Sequence, residues 1–228
     1  MMRIWHISDT HTYHGFLDIA ENIDIVIFSG DCSNPRDPYT NEQEVRNFVA
    51  WFDSLKIKHK IFVAGNHDTS IEKGFVTKKD FEECGIHYLE NISVEIEGLK
   101  IFGSPLTPVF GDWAFMKPAF KLERVWRNVI DDDVDIVITH GPPKTILDLS
   151  ENRLRELEFC GDKSLFNRIK EVNPKLHCFG HIHNFKDIVN RGTRTVEGLQ
   201  TVFSNGSVCT DAKFGLLPYH GNGNILEL

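Results

Sequence analysis

The sequence predicts an α/β fold, and three observations carry the prediction. Short β-branched runs recur along the chain. Stretches with apolar residues at helical spacing lie between some of them. Five of the apolar runs are followed by Asp, Asn or His, directly or after a single glycine. Strands alternating with helices build sheets that helices cover. In open α/β sheets, ligands bind outside the carboxyl ends of the strands.

Taken in order, residues 4–8, 25–29, 60–64, 136–139 and 177–179 read as buried strands. Val45, Phe48, Val49, Phe52 and Leu55 follow a helical period behind a Thr40/Gln43 capping-box signal. Leu122, Val125, Trp126, Val129 and Ile130 form a second apolar face. Leu165, Phe166, Ile169 and Val172 form a third, with Asp162 as N-cap and Pro174 just past the end. A hairpin is expected from 92–96 and 100–103 around Glu97-Gly98. Runs at 188–189, 195–196, 201–203 and 225–228, separated by Gly and Asn, predict a closing meander. Residues 104–120, rich in Pro and aromatics, fit neither period and read as a structured loop over a strand end. No repeat, linker or composition shift divides the chain, so residues 1–228 are expected to form one domain.

The 228 residues are 41% hydrophobic and 25% charged, which excludes disordered and collagen-like architectures. Lys and Arg number 25 against 33 Asp and Glu, a net charge of −8. That balance disfavours non-specific binding to nucleic acid or to anionic membranes. It does not exclude small anionic substrates, because bound cations reverse the sign of a site locally. Five cysteines, an odd count with no C-x-x-C pair, give no support to a disulfide framework or zinc finger and fit a reducing compartment. The N-terminus lacks an apolar leader and no window approaches a membrane span, so a cytoplasmic protein is expected.

The strand ends carry the chemistry. The blocks are Asp9-Thr10-His11, Gly30-Asp31, Gly65-Asn66-His67-Asp68, His140-Gly141-Pro142 and Gly180-His181-Ile182-His183. Asp9, Asp31, Asn66, His11, His140, His181 and His183 supply seven N and O ligands. That is too many for one tetrahedral zinc and suits two cations sharing a bridging carboxylate. Two metals about 3.5–4 Å apart can hold a hydroxide and clamp a phosphoryl group. Asn66 adds an oxygen without adding charge to a site that must accept an anion. A D-x-H block alone reads more readily as a turn with a surface histidine; five blocks in order, each after a strand, do not.

D-x-H, G-D, G-N-H-D, H-G-P and G-H-x-H, in this order from Asp9 to His183, resemble the calcineurin-like metallophosphoesterase superfamily. "ISDTH", "THGPP", "GDWAF" and "FGHIH" look most like its small metallophosphoesterase-domain proteins related to class III cyclic-nucleotide phosphodiesterases. The resemblance implies a two-sheet α/β sandwich flanked by helices. It implies that Asp9, His11, Asp31 and His183 bind one metal, and that Asp31, Asn66, His140 and His181 bind the other. His67 would assist the leaving oxygen and Asp68 would orient the His67 imidazole. The implied reaction is hydrolysis of phosphodiesters, cyclic nucleotides among them, by attack of a metal-bound hydroxide. A phosphomonoesterase on small metabolites or phosphoproteins is the alternative, and a non-catalytic scaffold is disfavoured because no ligand is missing. Mixed imidazole and carboxylate sites accept Mn, Fe, Zn or Ni, so the sequence does not name the metal.

The other candidates have plainer readings. His6, His59, His87, His177 and His220 are expected to be packed or surface residues, while His14 lies near enough in sequence to reach the site rim. Cys32 follows Asp31, but a small buried residue is the expected reading, as for Cys178. Pro105, Pro108, Phe110, Trp113, Phe115 and Pro118 would wall a substrate, form a dimer contact or pack on the sheet. Arg36 would either pair with a phosphate or stay solvated.

Overall fold

Uninterrupted apolar runs need cover on both faces, which parallel sheets obtain from helices. Two such sheets organise the computed structural model, which describes residues 1–152, 154–212, 215–217 and 221–228, with 212 and 215–217 described as backbone. His220 lies outside the described residues.

The chain begins β1 (Arg3–Ile7), β2 (Ile25–Ser29), α1 (Pro38–Ser54) and β3 (His59–Val63). Two short helices, α2 (Thr69–Glu72) and α3 (Lys78–Glu82), lead to β4 (Ile86–Tyr88). The expected hairpin follows as β5 (Ile92–Ile96) and β6 (Leu99–Ser104). Then come the small ladder β7 (Thr107–Pro108) and β8 (Met116–Lys117), α4 (Ala119–Val129), and β9 (Ile136–Thr139). A second hairpin, β10 (Leu149–Glu151) and β11 (Leu157–Phe159), precedes α5 (Lys163–Val172) and β12 (Leu176–Phe179). The remainder is β13 (Asn184–Phe185), β14 (Gly192–Thr195), β15 (Val202–Asn205), β16 (Thr210–Ala212), β17 (Gly215–Leu217) and β18 (Asn224–Glu227).

One sheet has the order β18-β1-β2-β3-β4, the other β14-β15-β12-β9-β6-β5. Each has four parallel strands, and the antiparallel strands β18, β14 and β5 sit at edges. Alternation along the strands divides the core into three parts. Ile4, Ile25, Ile27, Ile61 and Val63 face Ile101, Ile136, Ile138, Leu176 and Cys178 across the inter-sheet layer. The opposite face of the first sheet, with Trp5, Phe28 and Phe62, packs on Val45, Phe48 and Phe52 of α1 and on Phe81 of α3. The outer face of the second, with Phe102, Val137 and Phe179, packs on Leu122, Trp126, Leu165 and Ile169 of α4 and α5. Each such side chain contributes about 1.5–3 kcal/mol on burial. The layers are therefore helix, sheet, sheet, helix, as expected.

Three sequence expectations are corrected. The first helix starts earlier than its Thr40/Gln43 signal: Asp37 caps it, accepting from the Thr40 N–H at 3.4 Å, and Pro38 opens it. The C-terminal run is not a meander. β15 lies parallel to β12, whereas β18 crosses to the other sheet and pairs with β1, and 188–189 form no strand. Residues 107–117 are not wholly irregular, because β7 and β8 pair within them. The Asp162 cap is present: Oδ1 accepts from Ser164 N–H, and Oδ2 accepts from the Trp126 indole, joining α5 to α4. Among the described residues, no helix is long and apolar enough to cross a membrane.

Candidate active site

The carboxyl ends of β1, β2 and β3 in one sheet and of β9, β12 and β15 in the other meet at one place. The chain turns sharply there. Asp9, His11, Asp31 and His181 all have positive φ, at 53°, 42°, 59° and 70°. Each such non-glycine residue costs about 1–3 kcal/mol and persists only where its surroundings hold it. Here Asp9 N–H donates to Gly30 O and His11 N–H to Asp31 O. The His181 N–H donates to the Asp9 carboxylate at 3.0 Å. Two glycines allow the approach. A Cβ on Gly30, itself at φ 105°, would lie 2.4 Å from His140 Nδ1, and one on Gly180 would lie 2.1 Å from Asp9 Oδ2.

The structure brings together all seven residues singled out as ligands. Ligand atoms of Asp9, His11 and His183 lie within 4.8 Å of one another, as do those of Asp31, His140 and His181. His183 Nε2 is 3.2 Å from Asp9 Oδ1, and Asn66 Oδ1 is 2.9 Å from His140 Nε2. Asp31 Oδ2 lies 3.3 Å from His140 Nε2 and 3.9 Å from His11 Nε2, between the two groups. His67, which comes within 4.8 Å of His11 and Asp31, donates its backbone N–H to Asp31 Oδ1 at 2.7 Å.

The donor set fits cations. His11 Nδ1 meets Ser33 O at 3.1 Å, His140 Nδ1 meets Ser29 O at 2.8 Å, and His183 Nδ1 meets Asp211 Oδ1 at 2.8 Å. These acceptors place a proton on Nδ1 and turn Nε2 inward, toward the cluster. The Nε2 atoms of His11 and His183 face each other at 3.3 Å. Burial holds His11 down to about 4 and His181 to about 3, so both rings keep a free lone pair. Burial also opposes charge on His140, but Asp31 outweighs it and lifts the ring to about 9. Burial would raise Asp9, yet the hydrogen bond from His183 leaves its carboxyl well below the ordinary range.

Asp68 does not orient His67. The chain turns into α2 at this point, and the Asp68 carboxylate accepts from the backbone N–H groups of Asp31, Cys32, Ser33 and Gly65. It ties the Asp31 turn to the Gly65 turn and so positions the Asp31 carboxylate. Burial, reinforced by the Asp31 charge, pushes its own carboxyl up. The partner of the His67 ring is instead the Asn34 carbonyl, 3.0 Å from Nδ1. Cys32 is buried, donates its thiol proton to Asp68 and is held well above the usual thiol range by burial, which excludes it as a nucleophile. His14 does not reach the rim; it is buried against Phe48 and Trp51.

Two contributors have no sequence signal of their own. Ser207, just after β15, donates its hydroxyl to Asp9 Oδ2 at 2.5 Å, and Asp211 on β16 accepts from His183. A cavity of about 610 Å³ opens over the cluster. The 104–120 segment forms one wall with Val109, Phe110 and Trp113, and β11 contributes Glu158 and Phe159. Phe110 and Phe159 remain 56% and 46% exposed. Arg36 neither reaches the cluster nor stands free: its guanidinium lies 4.0 Å over the Trp113 ring.

A family profile described as calcineurin-like phosphoesterase matches residues 2–185. The chain belongs to the calcineurin-like phosphoesterase family. Membership supports metal-dependent phosphoesterase chemistry, and the centres of calcineurin-like phosphoesterases use two divalent metals, in agreement with the donor set above. The chain is 32% identical over 227 residues to metallophosphoesterase domain-containing protein 1 of Homo sapiens, covering 90% of itself and 65% of that protein. It thus spans just under two thirds of that relative's length. A UPF0046 protein of Caenorhabditis elegans is 32% identical over 219 residues, with 89% and 74% covered. The structure is similar to TT1561 of Thermus thermophilus, with a TM-score of 0.60, 14% identity and 90% and 88% covered. It is also similar to the phosphopantetheinyl hydrolase of Mycobacterium tuberculosis, with a TM-score of 0.52, 16% identity and the same coverage. At such identities the two structures establish the calcineurin-like fold alone. Ser207 and Asp211 lie beyond the matched span.

Proposed function

We propose that the chain is a dinuclear phosphodiesterase, with cyclic nucleotides among its substrates. The observation that carries this reading is the position of Asp31, whose Oδ2 stands between two sets of ligand atoms. Asp9, His11, Asp31 and His183 hold one divalent cation, and Asp31, Asn66, His140 and His181 the other. Two such ions supply Lewis-acid stabilisation of the phosphoryl oxygens and a water made nucleophilic near neutral pH.

The chain's own groups complete the reaction. His67 lines the cavity with its Nδ1 fixed on Asn34, so its Nε2 is the atom left to give a proton to the leaving oxygen. Asp68 holds the Asp31 turn in place. Phe110 and Phe159 offer an aromatic wall for the organic part of the ester. The carboxylate of Glu158 on that cavity favours a diester with one negative charge over a monoester dianion. The layer of side chains shared by both sheets supports one domain over 1–228. The composition and cysteine pattern support a cytoplasmic location, with manganese as the first metal to test.

The test is hydrolysis by metal-stripped protein after Mn²⁺ addition. It compares bis-p-nitrophenyl phosphate, p-nitrophenyl phosphate, 3′,5′-cyclic AMP and 2′,3′-cyclic AMP. Faster turnover of the diesters supports the proposal. Faster monoester turnover replaces it with the phosphomonoesterase reading, and no turnover with Mn²⁺, Fe²⁺, Zn²⁺ or Ni²⁺ refutes both.

A further inference from the structure

His67 is gripped from several sides. Its Nδ1 is fixed on the Asn34 carbonyl at 3.0 Å. The His11 ring abuts it nearly at right angles, with centroids 4.8 Å apart. Trp113 covers it, with ring centroids 4.1 Å apart and planes inclined by 34°. The Arg36 guanidinium lies 4.0 Å from the centre of the Trp113 ring. Arg36, Trp113 and His67 therefore form a three-part stack drawn from three separate segments.

The backbone secures Trp113 in that place. The Ala114 N–H donates to the carbonyl of Asn66 at 3.1 Å, and the Phe115 N–H donates to Glu72 Oε1 at 2.7 Å. The segment that carries the indole is thus bonded to the residue before His67 itself. Phe110, by contrast, sits 5.1 Å from His181 and remains exposed toward the cavity. Phe110 and Trp113 therefore have different work: Phe110 faces what enters, and Trp113 is already occupied.

We propose that Trp113 is a positioning residue that holds His67 in its proton-donating orientation, with Arg36 as the outer clamp. The inference rests on His67 being the group that serves the leaving oxygen. In that step the P–O bond breaks, and the leaving oxygen takes the proton from Nε2 of the imidazolium. The ring returns to the neutral form protonated on Nδ1, the form Asn34 stabilises. The proton lost by the attacking water goes to solvent. An imidazole tethered only through Nδ1 turns about its side-chain torsions, and a misplacement of about 1 Å can cost about a hundredfold in rate.

The experiment compares two diesters on Mn²⁺-loaded protein. Bis-p-nitrophenyl phosphate has a leaving group that needs little protonation, and diphenyl phosphate has one that needs more. His67→Ala should widen the rate ratio between them through kcat. Trp113→Ala should widen it in the same direction, by roughly ten- to a hundredfold, with metal content unchanged. Trp113→Phe should restore part of the loss, and Arg36→Gln, which spares the indole, should give a smaller shift of the same sign. Trp113→Ala combined with His67→Ala should be no worse than His67→Ala alone, because the two act through one group.

A wild-type ratio in Trp113→Ala, or losses that multiply in the double variant, overturns the clamp while leaving the proposed function standing. If wild type hydrolyses neither ester with any added metal, the proposed function fails instead. The clamp is then decided by the imidazole ¹⁵N resonances of His67. A single Nδ1-protonated form in wild type that averages in Trp113→Ala sustains it, and identical spectra overturn it.

Discussion

Asp211 Oδ1 lies 2.8 Å from His183 Nδ1, so a residue on β16 fixes the ring whose other nitrogen faces Asp9 and His11. A carboxylate behind a metal-ligating histidine sets its tautomer and raises its basicity. Asp211→Asn is expected to weaken metal binding by roughly ten- to a hundredfold, measured by titration calorimetry on stripped protein. Unchanged affinity would show that the pair does not support a bound cation.

Asp31→Asn tests the bridge. Removing one charge from the carboxylate between the two ligand sets should abolish measurable hydrolysis and reduce bound metal below wild type. Full activity in this variant, with metal content confirmed by elemental analysis, sinks the dinuclear mechanism.

His67→Ala separates a proton donor from a ligand. Turnover should fall by roughly 10²–10⁴-fold while bound metal stays at the wild-type level. Loss of metal along with activity would assign His67 to the ligand set.

Gly180→Ala probes the crowding at the strand ends. The added methyl would sit 2.1 Å from both Asp9 Oδ2 and Ser8 Oγ, so Asp9 must move. The variant should melt earlier than wild type, and metal should raise its Tm less than it raises that of wild type. An equal metal-induced rise in Tm would mean that Asp9 does not anchor a cation.

Two buried histidines away from the cluster give a pH dependence of stability. Burial lowers both His6 and His177 from 6.5 to about 3. Above pH 6.5 both rings are neutral folded or unfolded, and their contribution is fully present. As pH falls from 6.5 toward 3, the unfolded chain takes up protons that the folded chain refuses, and stability is lost at about 1.4 kcal/mol per pH unit for each ring. His177→Gln removes one titrating ring and should flatten the fall in urea midpoint between pH 6.5 and 4.5. A slope equal to wild type would contradict the assignment.

What is legible in the sequence is local. A strand run followed by Asp or His needs only a few residues to be seen, and that pattern is enough to place Asp9, Asp31, Asn66, His140 and His181 at one spot. Asp68 misleads because adjacency in sequence is not adjacency in space: the start of α2 turns its carboxylate under the Asp31 turn. The first helix start misleads because Thr40/Gln43 imitates a cap, while Asp37-Pro38 makes one. Ser207 and Asp211 carry no signal, since a serine or aspartate in a Gly-rich stretch acquires meaning only when β15 lies down beside β12. Trp113 and His67 are each visible in the sequence, but their contact is not.

The bond between Ser207 and Asp9 spans 198 positions. On a ribosome adding roughly 5–20 residues per second, the aspartate emerges about ten to forty seconds before the hydroxyl that steadies it. β18, which closes the sheet edge beside β1, emerges later still. Through that interval the nascent chain displays carboxylates and imidazoles without their full support, and a cation that binds then meets a half-built cradle. On that timing the hydroxyl that steadies Asp9 arrives after all seven residues of the cluster have been made.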